Sequence, residues 1–265
     1  MVADAERPLS GQHAVVTGGG TGIGAASSLV LARLGAQVTL MGRREAVVTR
    51  QAEAIRGAVA DATVATQALD VTDARAVTAA IAEAQQTAPI TILVNNAGAA
   101  ESAPFEKTGL DLLERMLAVN LKAAFLCTQA VLPAMLTAKY GRVINIASTA
   151  GLTGYAYVTA YVAAKHALVG LTRALALETA KRGITINAVC PGFTDTDLVA
   201  RSVETIVAKT GRSAEAARAE LAKTNPMGRL VTPEEVASTV AYLALPSASA
   251  ITGQAIVIAG GEVMA

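Results

Sequence analysis

Seven short runs rich in β-branched and apolar residues recur along the chain: HAVVTG, AQVTLMG, ATVATQALDV, ITILVNNAG, GRVINIAS, GITINAVCPG and QAIVIAGG. Helix-like segments separate them. Most of these runs are apolar at nearly every position, so neither face of the strand can turn to water. That demands a parallel sheet with helices on both sides. Right-handed crossovers make it a doubly wound, Rossmann-type α/β sheet. No Pro-, Gly- or Ser-rich linker and no repeat divides the chain, so one domain is expected, with residues 1–10 as an N-terminal tail and 11–265 as the folded body.

Within this rhythm the helix GAASSLVLARLG ends at Gly35, residues 44–57 form a polar-faced helix, and Thr72 or Asp73 caps the next one. LDLLERMLAVNLKAAFLCTQAVLPAML reads as one long helix, and TPEEVA opens the last. Residues 194–232 interrupt the alternation with a helical, mixed-charge insert. It follows a strand ending in Pro191 and Gly192, at the carboxyl edge of the sheet where ligands bind in this architecture. The insert is therefore read as a substrate lid. Leu198, Val199, Val203, Ile206 and Val207 give its first half an amphipathic pattern. Ala214 to Lys223 form its second half, with the KTG segment as hinge.

Composition excludes several classes of function. The chain has 265 residues, 52% of them hydrophobic and 16% charged, enough for a large core and for apolar surface hidden in an oligomer. A net charge of +1 and 3% aromatic residues give no reason to expect nucleic acid or an anionic membrane as partner. Cys127 and Cys190 lie far apart in apolar surroundings and read as buried hydrophobes of a reducing compartment. With His13 and His166 they form no familiar metal spacing, so no metal is expected. The polar N-terminus and the lack of any long uninterrupted apolar stretch predict a cytoplasmic protein without a membrane span.

Two motifs carry chemistry. TGGGTGIG joins the first strand to the first helix, and Gly18, Gly20, Gly22 and Gly24 let the backbone approach a pyrophosphate seated on the helix N-terminus. A glycine turn alone is weak, because any tight strand–helix turn needs glycine. Tyr161 and Lys165 stand four residues apart, on one helix face. An ammonium beside a phenol favours the phenolate and lowers its pKa from about 10 toward working pH, which makes a general acid/base for a carbonyl or carbinol. This pair alone is also common by chance.

Taken together the motifs are specific. From Gly11 to Gly261 the sequence resembles the short-chain dehydrogenase/reductase family at TGGGTGIG, LDVTD, NNAG, Asn120 in LAVNLKAAF, Ser148 in INIAS, YVAAK and PGFTDT. The resemblance implies an enzyme in which Tyr161 exchanges the substrate proton, and Lys165 lowers its pKa and holds the nicotinamide ribose. Ser148 would bond the substrate oxygen, and Asn120 would seat a relay water. Cofactor contacts are implied along the turn at Gly18, Gly20, Thr21, Gly22, Ile23 and Gly24. Asp70 and Val71 would meet the adenine, and Asn95, Ala97 and Gly98 would line the adenosine side. Pro191, Gly192, Phe193, Thr194 and Thr196 would hold the carboxamide end. The resemblance also implies a dimer through the helices of Asn120 and Tyr161, and a homotetramer overall.

Cofactor and substrate follow less directly. An NAD enzyme usually places an acid after the second strand; here LMGRRE has Gly42 there, then Arg43 and Arg44, which suit a 2′-phosphate. NADP(H) is expected, with NAD(H) as the alternative. The sequence is similar to 3-hydroxybutyrate dehydrogenases, acyl-thioester reductases and polyketide ketoreductases. The free-acid enzymes carry a glutamine, a histidine and a lysine where this chain has Ala100, Ala150 and Val158. A 3-oxoacyl or 3-hydroxyacyl thioester of CoA or a carrier protein is therefore the expected small-molecule substrate. The alternative is a bulky neutral secondary alcohol or cyclic ketone. A non-catalytic dinucleotide sensor would have lost Ser148, Tyr161 or Lys165, and a Rossmann methyltransferase leaves that set unexplained.

Overall fold

The chain builds strands β1 (His13–Thr17), β2 (Gln37–Gly42), β3 (Val64–Ala68), β4 (Ile92–Asn95), β5 (Gly141–Ile146), β6 (Ile184–Pro191) and β7 (Ala255–Ile258). In the computed structural model, which describes residues 7–264, all pair in parallel in the order β3-β2-β1-β4-β5-β6-β7. Every residue of β1, β4, β5 and β6 is buried, so their sequences do not alternate. Helices cover the sheet on both faces: α1 (Gly22–Arg33), α2 (Glu45–Ala58) and α9 (Pro233–Ala244) on one, α3 (Ala74–Thr87), α5 (Ala123–Ala138) and α6 (Thr159–Thr179) on the other. Neighbouring strand residues feed opposite cores. Val16 packs with Leu31, Leu40 and Val240, while Val15 packs with Ile81, Cys127 and Val131.

Local chemistry sets the helix ends. Asp73 starts α3 by accepting from the N–H groups of Arg75 and Ala76. Thr232 and Glu235 form a reciprocal capping box at the start of α9, with Pro233 at the first helical position. The 194–232 segment contains α7 (Asp197–Thr210) and α8 (Ala214–Ala222), broken at Gly211, whose φ of +70 closes α7.

Two expectations change. Residues 1–6 of the expected tail lie outside the described residues, but residues 7–10 are part of the body. Leu9 is fully buried and its N–H donates to the Leu34 carbonyl at 2.9 Å. The long helix is not uniform either. After α4 (Leu110–Leu117) it loosens into a π turn, Ala118–Lys122, in which the Ala123 N–H reaches back to the Ala118 carbonyl. Leu110–Ala138 is long and apolar enough to cross a membrane by length and composition, although Lys122 interrupts its apolar run. Ala123, Cys127, Val131 and Met135 form a stripe on it that packs against the sheet.

Candidate active site

Parallel pairing brings the carboxyl ends of all strands to one edge, and the motifs gather there. The turn after β1 is braced from β4. Asn96 Nδ2 donates to the carbonyls of Thr17 and Gly18 at 3.0 and 3.1 Å, and Thr17 Oγ1 accepts from the N–H groups of Asn96 and Ala97. Space is the reason for glycine here: a Cβ on Gly24 would lie 2.2 Å from the Gly18 carbonyl oxygen. Gly20 backs onto Val47 of α2, while Gly22, at φ +53, faces the Thr196 methyl. Ile23 packs partly into the core. Thr21 caps α1 without a side-chain bond, so N–H groups of its first turn stay available to an anion. The cradle fits a pyrophosphate.

Arg43 and Asp70 stand beside each other at the edge of β2 and β3, both exposed. Asp70 sits below the usual carboxylate range, chiefly because Thr72 donates to it through its hydroxyl and its N–H, with help from Arg43. Arg44 is the N-cap of α2. Val71 is in the core with Leu69 and Val77, which leaves only its backbone for a ligand. Asn95 is a correction. Its amide is buried and donates to Thr128 Oγ1 and Asn145 Oδ1, in a network that ties β4, β5, α5 and α6 together. Asn96, the next residue of the NNAG segment, takes the bracing role beside the cofactor turn.

Ser148 follows β5 and caps a short turn at Thr149–Gly151, its Oγ accepting from the Ala150 N–H at 3.1 Å. Tyr161 and Lys165 share the inner face of α6, with Nζ 5.7 Å from the ring centroid. Lys165 is 3% exposed and donates to the Ile146 carbonyl at 2.8 Å. Burial pulls its pKa down to about 8. The expected lowering of the Tyr161 pKa is not found. Burial pushes that phenol up, a hydrogen bond with Ser148 opposes it, and the ammonium is turned toward the strand carbonyl. Asn120 lies in the π turn, where its Oδ1 accepts from the Ala99 N–H at 3.3 Å and its Nδ2 donates to the carbonyls of Ala99 and Met116. Gly98 separates it from Lys165: a Cβ there would be 2.9 Å from Asn120 Oδ1 and 3.7 Å from Nζ.

On the opposite side Thr194 is buried and bonded to the Gly192 carbonyl, and Thr196 Oγ1 donates to the Thr194 carbonyl. The Phe193 ring meets Tyr155 edge-on at 6.1 Å. The Tyr155 hydroxyl donates to Glu262 Oε1 at 2.6 Å, and its oxygen lies 2.8 Å from Thr149 Oγ1. Burial, then the Glu262 bond, raises its pKa above that of an ordinary phenol. Neither Tyr155 nor Glu262 was singled out in sequence, because nothing local marks two residues 107 apart as partners. Cys127 and Cys190 are both buried free thiols, and burial pushes Cys190 up to about 11.

Comparison with known proteins bears on the family and the fold. The family model for short chain dehydrogenases matches residues 12–207. A protein of Streptomyces violaceoruber named as a granaticin polyketide synthase ketoacyl reductase is 40% identical over 251 residues, covering 94% of this chain and 92% of its own. D-beta-hydroxybutyrate dehydrogenase of Cupriavidus necator is 37% identical over 251 residues, with 92% and 95% covered. Among solved structures, a variant of the actinorhodin polyketide ketoreductase with NADPH superposes with a TM-score of 0.91 at 36% identity, covering 96% of this chain and 98% of that one.

Proposed function

This chain belongs to the short-chain dehydrogenase family, and from that premise we propose that it transfers a hydride between NADP(H) and a neutral ketone or secondary alcohol. A 3-oxoacyl/3-hydroxyacyl thioester is the favoured substrate. The observation that carries the reading is the meeting of Ser148, Tyr161 and Lys165 at the sheet edge that also holds the glycine cradle. A bound nicotinamide supplies the hydride. The chain supplies the proton: Tyr161, held protonated by burial, donates to the substrate oxygen, which Ser148 orients. Lys165 would hold the nicotinamide ribose and, with Asn120 positioning a water, would return the proton to the phenol.

Arg43 supports NADP(H), since it is exposed at the end of β2 where a 2′-phosphate would lie. The similar ketoreductase structure holds NADPH. Ala100, Ala150 and Val158 support a neutral acyl group, because an unpaired carboxylate among them would cost several kcal/mol. The polyketide-synthase names of the relatives point the same way, toward a carrier-bound chain. Helices α7 and α8 would serve as the lid. A cleft of about 510 Å³ between Gly22, Thr196 and Ala200 leaves α7 room to move against α1. Exposed Phe125 on α5 and Leu177 on α6 suit burial in a homotetramer, and a cytoplasmic location accords with the two free thiols.

The deciding experiment compares kcat/KM for acetoacetyl-CoA, ethyl acetoacetate and acetoacetate, each with NADPH and with NADH. The two neutral substrates with NADPH should lead. Equal use of the free acid would refute the neutral-substrate reading, and turnover of none would refute the activity.

A further inference from the structure

The proposed chemistry uses Ser148, Tyr161 and Lys165, yet the same pocket contains a carboxylate without a task. Glu262 follows β7 and reaches back into the corner between the Pro191–Gly192 turn and the segment after Ser148. Its Oε2 lies 2.7 Å from where a Cβ on Gly192 would be, so a side chain there would push the carboxylate aside. Oε1 is satisfied by Tyr155, whose oxygen is in turn bonded to Thr149, the residue next to Ser148. Oε2 is buried, and no donor among the described residues reaches it. A buried carboxylate oxygen without a donor is costly. Tyr155 cannot serve it as well, since a phenol has one proton and Oε1 holds it.

We propose, resting on the ketone reductase reading above, that Glu262 determines specificity by accepting a hydrogen bond from a hydroxyl of the substrate and by repelling substrate carboxylates. The preferred ligand is thus a neutral ketone that also carries a hydroxyl. The Tyr155–Thr149 chain fixes Glu262 by its other oxygen, which keeps Oε2 at one place in the corner beside Gly192. Thr149 and Tyr155 act through Glu262 and are positioning residues.

The test uses isosteric pairs: 4-hydroxy-2-butanone against 2-pentanone and 5-hydroxy-2-pentanone against 2-hexanone, with acetoacetate as the anion. For the wild-type enzyme, kcat/KM should favour the hydroxyketone of at least one pair by about tenfold or more, the size of a hydrogen bond to a charged group. Glu262→Leu should collapse that ratio toward one. Glu262→Gln removes the charge and, with its oxygen held by Tyr155, turns an NH₂ toward the substrate, so the ratio should fall but stay above that of Glu262→Leu while acetoacetate gains on 2-pentanone. This near-isosteric variant also carries the test if the leucine variant does not fold. A ratio that survives in Glu262→Leu overturns the proposal, as does acetoacetate failing to gain in Glu262→Gln. NADPH affinity, followed by fluorescence, separates the other user of this corner: an equal loss of NADPH binding in both variants would assign the carboxylate to the cofactor and overturn the proposal. If wild type reduces no ketone with either cofactor, the reading beneath the proposal falls with it; turnover without the ratios sinks the proposal alone.

Discussion

Two phenols share the pocket, and their surroundings give them different work. Tyr155 is committed to Glu262 and stays protonated, whereas Tyr161 has only Ser148 and a turned-away ammonium beside it. Replacing Tyr161 by Phe should cost roughly 10²–10⁴ in kcat and leave NADPH binding nearly unchanged, as measured by steady-state kinetics and fluorescence titration. Near-normal turnover would remove Tyr161 from the chemistry. Arg43→Ala should raise the KM for NADPH about tenfold with little effect on NADH, because a charge-assisted phosphate contact is worth about 1.5–3 kcal/mol; an enzyme that already prefers NADH would contradict this. The proposed catalytic residues were read from a spacing of four on one helix and from the company of Ser148 and Asn120. Asn95 and Asn96 carry the same side chain, and the NNAG motif alone does not tell that Asn95 joins the core network while Asn96 braces the turn after β1. Glu262 was illegible because its partner arrives from a distant part of the chain.

At the level of elements, ends were easier to read than irregularities. Asp73 and the Thr232–Glu235 box announce themselves because capping is local chemistry. The π turn does not, since AVNLK has the composition of an ordinary helix; the amide of Asn120 bonding to Ala99 holds the extra residue in place. At the amino end of the sheet, His13 of β1 places Nδ1 2.9 Å from the Ala88 carbonyl and Nε2 2.8 Å from Thr39 Oγ1. Burial lowers its pKa below 6.5. A histidine held neutral in the folded state contributes its full stability above the unfolded value, and loses it as pH falls through 6.5 toward the folded one. Urea midpoints should therefore drop between pH 7 and 5 more steeply for the wild-type chain than for His13→Gln. Parallel pH curves would show that the imidazole titrates alike in both states.

Over the whole molecule the sheet has two unlike edges. The amino edge carries His13 and the buried Arg142, which stacks 4.4 Å above Tyr140. Groups there serve packing. The carboxyl edge carries the site, and its contributors run from Gly18 in the first turn to Glu262 after the last strand. The doubly wound class was legible because fully buried parallel strands leave a sequence no room to alternate. How the 194–232 helices sit on the body was not, because few of their residues are buried. Since no fragment contains the completed edge, a ligand that recognises it recognises only the finished fold. Binding there is then coupled to every contact in the chain by mass action. NADPH at a hundredfold its Kd should add about 2.7 kcal/mol to the free energy of unfolding. For a chain of this size that amounts to a rise in Tm of roughly 5–10 °C, and a calorimetric scan with and without the dinucleotide reads it directly. A rise confined to part of a split transition would mean that the sheet can melt in pieces, with the two edges parting company before the strands do.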